Sequence, residues 1–251
     1  MASNDIGDWF RSIPRITKFW FVGSIVLPIA ARFGLLSPIW LILRYEFVVY
    51  KFQIWRLLTS VLYYPTSGPQ GFHYLLNLYF LYSYSVRLET GTFLGRPADY
   101  VTMLCFNWIC LILIGLTADL LLLMDPMVLS VLYIWCQLNK DTTVTFWFGT
   151  RFPAMYLPWV LLGFNLIVGD GGLFELIGIL VGHLYFFLKF KYPQDFGGPQ
   201  LITTPQFLYK YFPSHQTWAG FGEAPRRRFT NGNQGGEGGH TWGRGQTLGG
   251  N

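Results

Sequence analysis

Apolar residues gather into six runs, separated by short breaks rich in polar residues and proline. The runs cover about residues 16–34, 72–88, 98–118, 126–139, 153–169 and 173–192. Each is read as a candidate membrane-spanning helix. The fourth run is short. A hydrocarbon layer of about 30 Å needs roughly 20 residues of helix. A short central helix is tolerable only if its neighbours shield its ends, because unsatisfied backbone is costly in lipid.

Two stretches break this rhythm. Residues 35–70 are rich in Trp, Tyr and Phe, with Arg44, Lys51 and Arg56 interspersed. That mixture predicts chain lying in the headgroup boundary, with rings in the apolar layer and basic heads in water. Residues 193–251 form the second stretch. Its first part mixes aromatics with Pro and Gly and is expected at the membrane surface. From about Ala224 it is Gly-rich and polar, cannot bury a core, and is expected to be disordered. The N-terminal twenty residues lack a basic-then-apolar signal with a small-residue cleavage site, so the first run reads as a retained span. The predicted layout is an all-α, six-span membrane domain over 1–192, with a large first loop at 35–70, and a tail over 193–251.

Composition supports this class. Hydrophobic residues make up 52% and charged residues 12% of the 251, against about 25% charged in soluble domains. Mean hydropathy is +0.34. The charges are sorted by side. With six spans, fourteen of the 18 Lys and Arg fall with the two termini, and Arg32, Arg44, Lys51 and Arg56 fall opposite. The turns after the third and fifth runs carry Asp119, Asp125 and Asp170 and no cation. The positive-inside rule then places both termini in the cytosol. Cys105, Cys110 and Cys136 all lie in apolar runs. Three thiols make no disulfide framework, and they are read as small buried hydrophobes. No metal-ligand spacing and no nucleotide-binding loop is found, so no cofactor is expected. Nothing points to nucleic acid.

Candidate chemistry begins with "QGFHYLLN", where His73 and Asn77 sit one helical turn apart at the head of the second run. It lies within an ordered series: Trp55 and Arg56 in "WRLLT", then "HYLLN", then Glu89 in "RLETG", and Gly178 and Gly182 in "ELIGILVGH". The series and the charge topology resemble the rhomboid intramembrane protease fold over about residues 16–192. That fold has six core spans and a large lumenal first loop with a Trp-Arg motif. Its second span carries His-x-x-x-Asn, and its sixth carries His-x-x-Gly-x-x-x-Gly. The resemblance implies a serine in Gly-x-Ser-Gly at the head of the fourth span, where this chain reads "DPMVLSVLY". Matching Tyr133 to the tyrosine four residues past that serine puts Leu129 at the nucleophile position. Glu175 takes the position of the catalytic histidine. Ser130 is one place away, about 100° around a helix, with no flanking glycine. His183 follows Gly182, over a turn deeper. A serine protease needs a hydroxyl in reach of a base, and both partners are missing. The resemblance therefore implies a pseudoprotease. His73 and Asn77 remain on the oxyanion side without their reaction, tying spans together or lining a hydrophilic lumenal cavity.

Within the rhomboid-like proteins, "GDWFRSIP", "FQIWR", "NLYFLY", "GRPADY", "LPWVLLGFN", "VGHLYFFL" and "TPQFLY" resemble the Derlin family, in particular its first animal branch, over nearly the whole chain. His73 departs from that family, where the position is usually apolar. The resemblance implies a protein of the endoplasmic-reticulum membrane that helps misfolded proteins pass from lumen or bilayer to the cytosol for degradation. It implies ubiquitin ligase partners, lipid contacts and a homo-oligomer. It implies that Trp55 and Arg56 distort the membrane and admit substrate; plain interfacial anchoring is the alternative. The spacing of Gly178 and Gly182 is a small-xxx-small pattern that lets the fourth and sixth helices approach closely. The tail "TWGRGQTLGG" resembles the box by which cofactors bind the valosin-containing protein ATPase. Trp242 and Leu248 would be its apolar anchors, and Gly243, Gly245 and Gly249 would allow close backbone approach. Two other readings are a membrane scaffold that only tethers the ATPase, and an active protease built on Ser130 with His183.

Overall fold

The computed structural model describes residues 2–68, 70–145, 149–168 and 172–213. In chain order, α1 (Ala2–Ser12) is followed by the first long helix, α2 (Arg15–Arg32). The first loop is built from a 3₁₀ turn (Pro38–Trp40), α3 (Tyr45–Val49) and α4 (Trp55–Leu62). Then come α5 (Gln70–Arg87), which runs into a π-turn (Leu88–Thr92), and α6 (Pro97–Thr117). After α7 (Met124–Leu138), a hairpin pairs β1 (Thr143–Thr145) with β2 (Arg151–Pro153). The last long helices are α8 (Leu157–Val168) and α9 (Leu173–Phe186), followed by α10 (Tyr192–Asp195) and α11 (Gln206–Tyr211). A long helix thus occupies each of the six apolar runs. Two runs, Pro97–Thr117 and Leu173–Asp195, are long and apolar enough to cross a membrane on length and composition alone.

The short fourth run sits where its length demands. Every residue of α7 from Pro126 to Cys136 is buried, enclosed by α4, α5, α6, α8 and α9. The first loop folds over its entry. Leu123 donates its N–H to the Ser60 carbonyl (2.9 Å), and Leu43 donates to the Leu121 carbonyl (2.9 Å). The surrounding helices turn apolar side chains outward, among them Phe19, Leu75, Ile109, Ile167 and Leu180. An outside this apolar suits lipid and not water.

Glu89 explains how α2 starts. Pro14 at its N-cap offers no side-chain acceptor. The π-turn carries the Glu89 carboxylate to that end, where it accepts from Ile16 N–H (3.1 Å), Thr17 N–H (2.8 Å) and Thr17 Oγ1 (2.7 Å). A carboxylate at a helix N-terminus satisfies orphan donors and complements the helix dipole. Behind it, Thr17 Oγ1 bonds Ser85 Oγ (2.7 Å), which bonds the fully buried Tyr100 hydroxyl (2.5 Å).

Three sequence expectations are corrected, and one element the sequence reading did not address is added. The chain is not all-α: Val144 pairs with Phe152 in an antiparallel hairpin, where β-branched Thr143, Val144 and Thr145 favour a strand. The polar N-terminus forms α1, held by Trp9, which donates to the Tyr82 hydroxyl (2.9 Å) and meets Phe21 edge-on. Cys105 is exposed on the outer face of α6, whereas Cys136 is buried. The body does not stop at residue 192. Asp99, in the first turn of α6, accepts from Thr204 Oγ1 and from the Tyr209 hydroxyl (3.0 Å), and Lys189 donates to the Ile202 carbonyl (2.8 Å). Residues 193–213 therefore pack as part of the body. The expected disorder from Ala224 and the tail box at Trp242–Gly249 lie outside the described residues.

Candidate functional site

The four positions inferred from the protease pattern meet in one place. His73 and Asn77 on α5, Leu129 on α7 and Glu175 on α9 line a single narrow cavity of about 30 Å³, enough for a water or two. Two further polar residues complete it, one read from sequence only as a turn carboxylate and the other unmarked. Asp125, in the first turn of α7, accepts a hydrogen bond from Asn77 Nδ2 and lies 3.5 Å from His73 Nε2. Asn165, on α8, donates to Glu175 Oε1. Asn77, Asn165, Glu175 and Leu129 are all buried, and apolar Leu76, Phe80, Val128, Leu161 and Phe164 close the walls. The Tyr64 ring stacks on His73 at 5.7 Å.

The chemistry of the lining is specific. Among its described residues there is no Ser, Thr or Cys. Each carboxylate is held by an amide donor rather than aimed at a hydroxyl. The cavity has acceptors and an imidazole but, among its described residues, no hydroxyl or thiol for that imidazole to deprotonate. Ser130 does not fill the gap. It is fully buried, donates to the Met127 carbonyl (2.8 Å) and accepts from Asn107 Nδ2 (3.1 Å). His183 instead bonds the Tyr133 hydroxyl through Nδ1 (2.8 Å). Ser130 and His183 thus point to separate partners, and the dyad considered from sequence is not assembled.

The Der1-like family pattern matches residues 13–206, most of the chain. The chain belongs to the Der1-like family. It is 56% identical to Derlin-1 of Homo sapiens over 98% of this chain and 99% of that protein. It is 45% identical to Derlin-1 of Drosophila melanogaster over 98% of this chain and 99% of that one. A probable derlin-1 homolog of Dictyostelium discoideum is 32% identical over 97% of this chain and 99% of its own length.

In this Der1-like chain the cavity depends on how closely α7 and α9 approach. A Cβ added at Gly178 would stand 2.7 Å from the Pro126 carbonyl oxygen and 3.0 Å from Leu129 Cβ. One added at Gly182 would stand 2.7 Å from the Ser130 carbonyl oxygen. Only glycine lets the backbones meet at this distance. The same contact sets Leu129 and Glu175 on facing walls.

Trp55 and Arg56 divide between surface and interior. Trp55 is half-exposed, beside exposed Trp40, Tyr50, Phe52 and Ile54. Arg56 does not keep its head in water as the sequence suggested, for it is only 2% exposed. Its guanidinium donates to the Ile39 carbonyl (2.5 Å), the Ile42 carbonyl (2.8 Å) and Gln53 Oε1 (2.7 Å), and lies over the Phe47 ring at 4.5 Å. The forked donor matches several loop carbonyls at once, which an ammonium cannot do. Burial, reinforced by the Arg44 charge, lowers its pKa, yet a guanidinium stays protonated at physiological pH.

Proposed function

We propose that the chain is a six-span, rhomboid-like membrane protein of the endoplasmic reticulum, with both termini cytosolic, that acts without catalysis in endoplasmic-reticulum-associated degradation. It takes misfolded proteins from the lumen or the bilayer and eases their passage to the cytosol. Family membership and similarity to Derlin-1 along nearly the whole chain support this reading. The observation that carries it is the cavity: His73, Asn77, Leu129 and Glu175 converge around carboxylates and amides, with no Ser, Thr or Cys among the described lining residues.

The remaining parts fit the same task. Arg56 stiffens the first loop, so its outward rings enter the lumenal leaflet as a fixed wedge. The 15 residues of α7 span about 22 Å as a helix, and a short span is relieved by local bilayer thinning. A thinned, wedged bilayer lowers the barrier to polar segments. The body carries no nucleotide-binding loop, so the work of extraction comes from a partner. The tail box, Trp242, Gly243, Gly245, Leu248 and Gly249, recruits the valosin-containing protein ATPase. Ubiquitin ligases and further copies of the chain complete the assembly. The test is retention of the ATPase by the solubilised full-length chain. Leu248→Ala should abolish retention while the membrane body keeps its thermal stability. Undiminished retention by that variant would remove the tail from the mechanism.

A further inference from the structure

We propose that the cavity above Leu129 binds a basic side chain, a Lys ammonium or an Arg guanidinium, on an extended client segment. This rests on reading the chain as a carrier of unfolded proteins, and it names what that site selects.

A second chamber of about 210 Å³ adjoins the inner one, and the two share His73, Asp125 and Glu175 as lining. Tyr64, Pro65, Leu122 and Phe174 wall the outer chamber, and exposed Gln70 stands at its rim. That volume falls below the roughly 300–1,000 Å³ of sites for drug-sized ligands. It suits one side chain better than a metabolite.

The electrostatics set the sign. Asp125 and Glu175 each lie in the first turn of a helix, α7 and α9, where the dipole favours an anion. Among the described residues no Lys or Arg lines either chamber. Two cations of the same predicted side are engaged elsewhere: Arg32 donates to the Thr66 carbonyl (3.1 Å), and Arg56 is latched inside the loop. Among the described residues, His73 is the one lining group able to carry positive charge, against the two carboxyl groups of Asp125 and Glu175. Each carboxylate has more acceptor positions than its amide partner fills. The Phe174 ring adds an aromatic group that attracts cations, and Pro65 and Leu122 suit a methylene stem. The described acidic and imidazole groups form no cluster fit for a metal ion, so an organic cation is the better match.

The test uses the full-length chain in lipid nanodiscs and fluorescent, unstructured peptides that differ at one central residue: Lys, norleucine or Glu. The Lys peptide should bind about fivefold tighter than the norleucine peptide, as one partly screened ion pair allows, and the Glu peptide should bind weakest. The Lys preference should vanish in Asp125→Asn with Glu175→Gln, which keeps side-chain shape and removes charge. Each single variant should reduce it, provided thermal unfolding stays native-like. Equal binding of Lys and norleucine peptides to the unaltered chain would overturn the site alone. A preference that persists in the folded double variant would do the same. No binding of any peptide would overturn the site together with the carrier reading beneath it.

Discussion

Replacing Gly178 by alanine adds one methyl group to a helix, which in an open position stabilises it by up to about 1 kcal/mol. Here the sign should reverse. Ordinary contact begins near 3.4 Å, and the added Cβ would stand 2.7 Å from the Pro126 carbonyl oxygen, so α9 must retreat by about 0.7 Å (3.4 − 2.7). A backbone carbonyl cannot rotate aside as a side-chain end can. Overpacking of this kind costs about 1–3 kcal/mol, leaving a net loss of up to about 2 kcal/mol after the full helix gain. For a chain of this size that lowers Tm by up to about 8 °C. Gly163 on α8 is the matched control, because a Cβ there meets nothing within 4 Å. Thermal unfolding in detergent, followed by intrinsic fluorescence, should show Gly178→Ala destabilised and Gly163→Ala unchanged or more stable. Equal shifts in the two variants would refute the claim that glycine is needed for the α7–α9 contact.

Other outcomes are expected. Arg56→Ala leaves the Ile39 and Ile42 carbonyls without their donor, each worth about 1–3 kcal/mol if left unpaired. Amides of residues 38–56 should then exchange faster with solvent while α7 stays protected, and unchanged exchange would deny the latch. Glu89→Gln replaces a charged acceptor that holds the start of α2 and should lower stability by about 1–3 kcal/mol. Combined with Thr17→Val the losses should fall short of additive, since both act on one network. A fluorophosphonate probe should not label Ser130, whose proton is committed to the Met127 carbonyl; labelling lost on Ser130→Ala would reopen proteolysis.

The parts legible in the sequence are those fixed by local pattern. Hydropathy marked the six long helices, and the shortness of the fourth run indicated a shielded central position, which α7 occupies. Motif spacing picked out four cavity residues because each lies at a set offset along its own helix. Asp125 and Asn165 were missed because their roles exist only after folding. Asp125 meets Asn77 across 48 residues of sequence, and beside an Asp-Pro turn it reads as a solvated acid. The same limit hid the contacts of Asp99 with Thr204 and Tyr209, 105 and 110 residues away. Arg56 misled because its neighbours are aromatic. Periodicity reports which face is apolar, not whether loop carbonyls will fold around a cation.

The most direct measurement follows a glycosylated, misfolded lumenal reporter in cells that lack the endogenous chain and carry this one. Passage without catalysis predicts that the reporter reaches the cytosol at full length, deglycosylated and bound to the ATPase, and that Leu248→Ala strands it on the lumenal side. A reporter cut within the membrane, or one whose transfer is the same with and without the chain, would contradict it.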